Sequence, residues 1–509
     1  MADLLHLDGQ TLTIAALARA ATTPCKITLC PQGLERMAAS RAVVMRAIAL
    51  DLPVYGVTTG LGARSTERLS HAQLSEFSLE TIRGRAHAVG QPESMATVRA
   101  AMIVRLNTLL SGCSGASPAL ADHVLACLNA GLTPIVPTIG SVGVADLTWN
   151  ATLALGLIGE APLTGPSGTL GHGADMLRAS GIAPWLPGPR DGLAIVSHSC
   201  GVVARAAGAM FDARRAFEVT QTAAALSMLA FQASLTPFRA DVLACGGHSS
   251  QEIAANGIRQ RLSGSAPMMG VAPRRLQDPL SIRNIPQIHG AVMAALEFGE
   301  NTVQIDLNGC SDNPIVLTDR DEVVSCGAYF TANLTSALEM VARAFVQMAT
   351  AQVARMSKLL TPDFSGLPLF LAAHGATSNG FAPILKTAEA LLAEVLHEAQ
   401  PVSVWPSISA NGVEDVLTSS PVAARSLARI AGLSLRLSAA ELIIAAQGVD
   451  LRGDAARPGP MLAGCMTMIR AISAPLTTAR PLGTEIEQLA DRLAAFELSP
   501  ALLGAVLSD

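Results

Sequence analysis

Tyr55 opens a loop, Tyr55-Gly56-Val57-Thr58-Thr59-Gly60-Leu61-Gly62, in which three glycines fall within the seven residues after the phenol. Glycine lets a backbone take dihedrals closed to other residues, so such a loop can hold a phenol against a small molecule as an acid or base. The chain has two tyrosines, Tyr55 and Tyr329. The bland alternative for each is an ordinary half-buried aromatic. Arg283 follows a Ser-Ile pair of buried character. A guanidinium there can close a structural ion pair, with Asp278 as partner. His87, in Arg85-Ala86-His87-Ala88-Val89-Gly90, taken alone reads as a satisfied core histidine. Of 35 basic residues, three are lysines: Lys26, Lys358 and Lys386. Lys386 lies on the first turns of an expected helix among apolar neighbours. A semi-buried ammonium needs an anion, and Glu414 is the natural candidate; the alternative is a solvent-facing lysine.

The elements that must position these groups are mostly helical. Leu334, Leu338, Val341, Phe345 and Met348 recur at spacings of four and three, the buried stripe of a long helix. Thr387–Ala399 is almost entirely strong helix formers. Ser420-Pro421 starts another helix, with proline suited to its first turn, running to Gly448. Ile27–Cys30 and Val323–Ser325 are the best strand candidates. Thr164–Gly173 and Pro184–Pro189, rich in proline and glycine, read as loops. The expectation is a mainly α protein, with a mixed N-terminal domain over 1–195 carrying the Tyr55 loop and a central helical bundle over 196–509.

Composition narrows the class of function. Half of the 509 residues are apolar, 15% are charged, 3% are aromatic and the net charge is -5. No basic stripe or polybasic tail is present, which excludes a nucleic-acid partner. No window of about 18 residues runs apolar without a charge or turn cluster, so no membrane partner is expected. The apolar excess is assigned to subunit interfaces. The start MADLLHLDGQ carries two acids and lacks a signal peptide's basic beginning and apolar middle, and the nine cysteines show no paired spacing. They read as small core residues in a reducing, cytoplasmic compartment.

Four separated segments carry a family resemblance. The Tyr55–Gly62 loop resembles the Tyr-Gly-x-x-Thr-Gly-x-Gly loop of the histidine and phenylalanine ammonia-lyases. Gly140-Ser141-Val142-Gly143 resembles the stretch before their cofactor. Gln277-Asp278-Pro279-Leu280-Ser281-Ile282-Arg283 is similar to their Gln-Asp-x-Tyr-Ser-Leu-Arg, and Asn308-Gly309-Cys310-Ser311-Asp312-Asn313-Pro314 to their Asn-x-x-(Ser/Thr)-Asp-Asn-Pro. Order and spacing agree over nearly the whole chain. By this resemblance to the aromatic amino acid lyases, Arg283 clamps the substrate carboxylate, His87 falls where the substrate ring is chosen, Tyr329 and Asn313 face the substrate, and the protein is a homotetramer whose sites draw on several subunits.

The departures are as informative. The family continues Gly-Ser-Val-Gly with Ala-Ser-Gly-Asp, whose first three residues cyclise and dehydrate to methylideneimidazolone. That needs a central serine and a glycine nitrogen. Here the segment reads Val144-Ala145-Asp146-Leu147-Thr148-Trp149-Asn150, one residue shorter, with neither. The family's Leu-Leu-Asn-Gly-Thr is replaced by Ile195-Val196-Ser197-His198-Ser199, leaving Ser197 at the asparagine's place. Its Asn-Gln-Glu-Asp is replaced by Asn411-Gly412-Val413-Glu414. No cofactor is therefore expected, and the amine-handling half of the site is gone while Tyr55 and Arg283 remain.

A lyase without the electrophile needs an amine that already leaves well, and a trimethylammonium group departs as neutral trimethylamine. The chain is similar in this respect to the ergothionase branch of the superfamily, which implies elimination of trimethylamine from ergothioneine to give thiourocanate. In that scheme Tyr55 takes the β-proton, Lys386 supported by Glu414 draws charge into the ring as a general acid, and Trp149 or Tyr329 faces the quaternary ammonium by a cation–π contact worth about 0.5–2 kcal/mol. Ser197 borders the substrate. Two rivals stay open: a cofactor-free lyase or isomerase on another imidazole or aryl amino acid or betaine, and a non-catalytic protein that binds a small acid.

Overall fold

The structure, a computed structural model, describes residues 3–372, 378–403 and 412–495. Asn411 lies outside the described residues. The chain is mainly α, as expected, and the described strands form four small sheets. It divides into two compact units. One comprises Met1–Phe211, Glu300–Leu338 and Pro401–Arg425; the other comprises Asp212–Gly299, Glu339–Gln400 and Ser426–Asp509. Several of these boundaries fall inside long helices, Cys200–Phe231, Ile285–Asn308, Ala332–Leu359 and Ser420–Arg452.

In the first unit, strands Asp3–Leu7 and Cys25–Leu29 pair in parallel, and Ile315–Leu317 pairs antiparallel with Glu322–Val324. Both strand candidates read from sequence are thus present, each ending one residue earlier than read. The Thr164–Gly173 stretch is not wholly loop: Leu163–Thr164 and Leu170–Gly171 form a short hairpin, closed through Gly168 at φ +77°. Helix Pro31–Ala49 packs Val43, Val44, Ala47 and Ile48 against Val54, Val57, Leu74 and Val316. At the unit's centre Asp312 is fully buried. It accepts from Arg105 at 2.7 and 2.9 Å and from Arg190 at 3.1 Å.

In the second unit the core is a polar-stitched helical array. Glu441 accepts from Arg355 at 2.7 and 3.0 Å, from Ser227 at 2.8 Å and from Gln352 at 3.1 Å. All four residues are buried, as a charge inside an apolar core requires. The stripe Leu334, Leu338, Val341, Phe345 and Met348 on helix Ala332–Leu359 is buried at every position. Ala382–Glu398 is helical around the expected segment, and Ser420–Arg452 outruns Gly448 by a turn.

The Asp191–Phe231 stretch has a window long and apolar enough to cross a bilayer, and 94% of that window is buried inside the protein. It is a core element. Elsewhere large apolar side chains face outward, among them Leu276, Met269, Phe298 and Ile305. The cysteines correct the expectation of core residues: all nine are free, Cys127 and Cys200 alone are buried, and Cys245 is exposed.

Candidate active site

The Tyr55 loop is placed by its flanks. Val54 and Val57 are both buried in the first unit's core, which leaves Tyr55 between them half-buried and turned outward. The loop winds on the Val54 carbonyl, which accepts from the amides of Val57, Thr58 and Thr59 at 3.0–3.2 Å. Thr58 Oγ1 returns the bond by accepting from the Val54 amide at 2.8 Å. Gly56 is required here: its φ is +62°, and a Cβ would stand 2.4 Å from Leu193. The loop then curls so that the Gly62 amide donates to the Tyr55 phenol oxygen at 3.2 Å. A cavity of about 360 Å³ opens at the loop's flank, with Tyr55, Thr59, Ser65, Pro314 and Ser325 in its wall.

Tyr329 and Glu414 gather with Tyr55, and so does a residue the sequence reading passed over. Arg85 lies within electrostatic reach of Tyr55 and Glu414. Burial pushes its guanidinium down from the ordinary value, while those two groups pull it up. Among the described residues its hydrogen bond is a long one to the Thr81 carbonyl, 3.4 Å. Tyr329 feels the same two neighbours. Burial first, then Tyr55 and Glu414, raise its phenol above 10, so it stays protonated and can donate but not act as a base. Its carbonyl accepts from Ser199 Oγ at 2.8 Å, and the next residue, Phe330, bridges Val144. This fixes Tyr329 beside the shortened segment.

That segment is spent on structure. Ala145 and Asp146 both take left-handed dihedrals, φ +60° and +46°, a costly conformation for residues with a Cβ. The Gly143 carbonyl accepts from Thr331 and Thr418 at 3.1 and 2.9 Å, and the Ala145 carbonyl from the His198 amide and from Asn150, each at 3.2 Å. The Asp146 carboxylate is buried, bonded to Ser141 and accepting from the Val202 amide at 2.8 Å. Burial raises its pKa above the usual carboxylate value. Methylideneimidazolone does not fit these residues. No serine hydroxyl is there to eliminate, the Ala145 carbonyl and its neighbours are already held by hydrogen bonds, and the backbone nitrogen at the third position belongs to a residue with a Cβ.

Other expectations are corrected. Trp149 is buried in helix Leu147–Leu157, against Gly201, where a Cβ would approach its ring to 2.7 Å. Arg205 already covers the ring at 4.7 Å. Trp149 therefore cannot wall a substrate's quaternary ammonium, and Tyr329 is the remaining aromatic. His87 is exposed, between helix Leu74–Arg83 and strand Val89–Pro92. It is Arg85, two residues earlier, that reaches the Tyr55 group. Ser197 is buried at the end of helix Asp191–Val196. Asn313 Oδ1 accepts from the Cys326 amide at 3.0 Å, which gives it a structural partner.

Two of the residues expected from the sequence to serve the site, Arg283 and Lys386, belong to the second unit. Arg283 ends the short helix Leu280–Arg283. Its Nε is buried without a hydrogen-bond partner, and it makes no ion pair among the described residues. The alternative pairing with Asp278 is absent: Asp278 accepts from the Ser234 amide at 2.7 Å. Arg355 donates to the Ser281 carbonyl at 3.4 Å, tying the Arg283 turn to the buried Glu441 centre. Lys386 is exposed. The buried positions of its helix are Ile384, Ala388, Val395 and Glu398, and Lys386 stands two residues from the nearest of them, off that stripe. The expectation of a semi-buried lysine fails within one chain.

A mainly helical fold, a tyrosine on a glycine loop and an arginine without an ion pair among the described residues define the class, an ammonia-lyase-like enzyme architecture. The aromatic amino acid lyase family model matches residues 12–471, and the chain belongs to that family. It is 32% identical over 495 residues to a histidine ammonia-lyase of Anaeromyxobacter sp. (strain K), covering 95% of this chain and 97% of that protein. The solved ergothionase of Treponema denticola, an ergothioneine-degrading enzyme in complex with desmethyl-ergothioneine sulfonic acid, superposes with a TM-score of 0.92 at 25% identity, over 96% of this chain and 98% of that one. Histidine ammonia-lyase from Trypanosoma cruzi gives 0.90 at 27%, over 98% and 95%.

Proposed function

We propose that this protein is a carbon–nitrogen lyase that eliminates trimethylamine from ergothioneine to give thiourocanate, without methylideneimidazolone. The observation that carries the reading is a contrast within one family frame. The segment that would supply the electrophile has no chemistry to form it, yet Tyr55 and the unpaired Arg283 are kept. An unactivated ammonium is a poor leaving group next to a weakly acidic carbon, and each tenfold in rate is about 1.4 kcal/mol of barrier. A trimethylammonium group cannot lose a proton and become a worse leaving group, so the missing electrophile costs it least. The likeness to the Treponema denticola ergothionase supports the same substrate.

In the proposed reaction Arg283 holds the substrate carboxylate. The Tyr55 oxygen, positioned by the Gly62 amide and with Arg85 within electrostatic reach, takes the β-proton. The carbon–hydrogen electron pair becomes the Cα–Cβ double bond, and the carbon–nitrogen pair leaves with trimethylamine. Charge that builds in the thioimidazole ring is stabilised by Arg85, with Glu414 facing it. Tyr329, a protonated phenol, offers its ring face to the quaternary ammonium. Lys386 is proposed as a general acid only in the assembled protein, a homotetramer, where a neighbouring subunit can cover it; light scattering that finds an active monomer would remove this role. The relatives named histidine ammonia-lyase favour a second reading, an elimination from an imidazole amino acid itself. Incubation with ergothioneine tests the first reading: growth of thiourocanate's long-wavelength absorbance together with free trimethylamine is expected, and neither appearing would overturn it.

A further inference from the structure

Four cationic side chains converge on one turn of the second unit. The turn is the short helix Pro362–Ser365, closed by Gly366 at φ +64°. Three of its consecutive carbonyls each take a guanidinium. Arg275 donates to the Asp363 carbonyl at 3.0 Å, Arg274 to the Phe364 carbonyl at 2.5 Å, and Arg452 to the Ser365 carbonyl. The ring of Phe364 takes two of the cations: Lys358 Nζ stands 4.0 Å from its centroid and Arg275 Cζ 5.4 Å. The four come from separate stretches of chain, namely the loop before Asp278, the last turn of helix Ala332–Leu359 and the end of helix Ser420–Arg452. The guanidinium groups are held in place. The Arg274 amide donates to the Gln232 carbonyl at 3.0 Å, and Arg452 Nε to the Ala230 carbonyl at 2.7 Å. Gly366 leaves the room that a Cβ would take from the Arg274 guanidinium.

The charges around the turn do not balance. The neighbouring carboxylates are Asp363, on the turn itself, and Asp278, within electrostatic reach of Arg274 and Arg275. Among the described residues no carboxylate forms an ion pair with any of the four cations, and Asp278 accepts from the Ser234 amide instead. Carbonyls at a helix end supply only about half an elementary charge. Four cations set against two carboxylates therefore leave an excess of two positive charges. Lys358 makes no hydrogen bond among the described residues, so its three donors are free. Arg274 is exposed and the other three are partly exposed, which gives a solute access to them.

We propose that this cluster binds a phosphoryl oxyanion, as inorganic phosphate or as the phosphate of a small organic ester. Such a group carries about 1.5 to 2 negative charges near neutral pH, which matches the excess. Its several oxygens accept from guanidinium forks and from an ammonium at once, whereas a lone carboxylate is matched by a single fork. None of the four cations has a part in the proposed elimination, so the site is additional to the lyase centre.

The test uses the full chain. Thermal melts and titration calorimetry are run with sodium phosphate and with glycerol phosphate, each against sodium chloride at equal ionic strength. Phosphate is expected to raise the melting point as its concentration rises, because it binds the folded chain, and chloride is not. Lys358→Gln removes a charge that makes no hydrogen bond and should leave the fold intact. It should weaken phosphate binding by at least about tenfold, the scale of one lost charge-assisted contact. Arg274→Gln should do the same. Arg283→Ala should leave phosphate affinity unchanged, which separates this cluster from the carboxylate clamp of the lyase reading. Tighter binding of glycerol phosphate than of phosphate would identify an ester as the ligand, and the reverse order the free ion. A melting point indifferent to both phosphates, binding that survives Lys358→Gln and Arg274→Gln intact, or binding lost in Arg283→Ala would each overturn the proposal. These readouts need no turnover, so they stand or fall apart from the lyase reading.

Discussion

Two arginine-rich regions of the molecule use the same side chain in opposite ways. Around Asp312, Arg105 and Arg190 are buried and share one carboxylate: Arg105 binds Asp312, Ser114 and the Ala194 carbonyl, and Arg190 binds Asp312 and the Ser114 and Pro314 carbonyls, while Arg105 Nε and Arg190 Nη1 find no hydrogen-bond partner among the described residues. Among the described residues, Arg85 in the first unit is half-buried with one long hydrogen bond, and Arg283 in the second has a buried Nε without a hydrogen-bond partner. Burial of a charge is tolerated where partners compensate it. The difference lies in pairing with a carboxylate, which Arg105 and Arg190 have and which Arg85 and Arg283 lack among the described residues.

The comparison breaks first at its scaffold end. Asp312→Ala leaves two buried guanidinium groups uncompensated, and removing one partner of such a centre costs about 3–5 kcal/mol. The variant should be largely unfolded or melt far below the parent by calorimetry; a melting point within a few degrees of the parent would show that the centre is dispensable. The same carboxylate predicts acid sensitivity. Burial would raise it, but Arg105 and Arg190 overcome that and hold it at about 2, below the unfolded value of about 3.9. Its contribution to stability is therefore full above pH about 4 and lost as the pH falls toward 2. A stability flat across that window would contradict the assignment.

At the site the expected effects fall on activity instead. Tyr55→Phe should keep the fold and substrate binding while elimination drops by at least about 10²–10⁴-fold, the range for loss of an acid–base group; wild-type-like turnover would remove Tyr55 from the mechanism. Arg283→Ala should weaken substrate binding by about 1.5–3 kcal/mol, as for lost hydrogen bonds to a charged group, with little change in melting point, measured by titration calorimetry and thermal melts side by side. Arg85→Gln should slow turnover by about tenfold, roughly 1.4 kcal/mol, with Arg85→Lys recovering part of it. An unchanged rate would mean that Arg85 belongs to the scaffold after all.

Much of the fold was legible in the sequence because its signals are periodic. The Leu334–Met348 stripe is buried as its spacing predicts, since a helix repeats every 3.6 residues whatever surrounds it. Tyr55 was legible through its glycines, and the structure shows why: Gly56 takes a left-handed dihedral against Leu193. Register over short irregular stretches was not. Arg85 and His87 are two residues apart between a helix and a strand, and no periodicity says which one turns inward. Trp149 was misread for a different reason. Its helix is buried nearly all round, the mark of a core helix, and Arg205, which covers the ring, is distant in sequence. Lys386 was read from its rarity, which carries no information about which face of a helix it occupies.

The central claim is that the chain eliminates a preactivated amine without an electrophile. Histidine, its sulfur-free trimethyl betaine and ergothioneine, offered at equal concentration to the same enzyme, test it most directly. Rapid release of trimethylamine from ergothioneine, slower release from the betaine and no ammonia from histidine is the predicted result. Ammonia released from histidine at a comparable rate would contradict it.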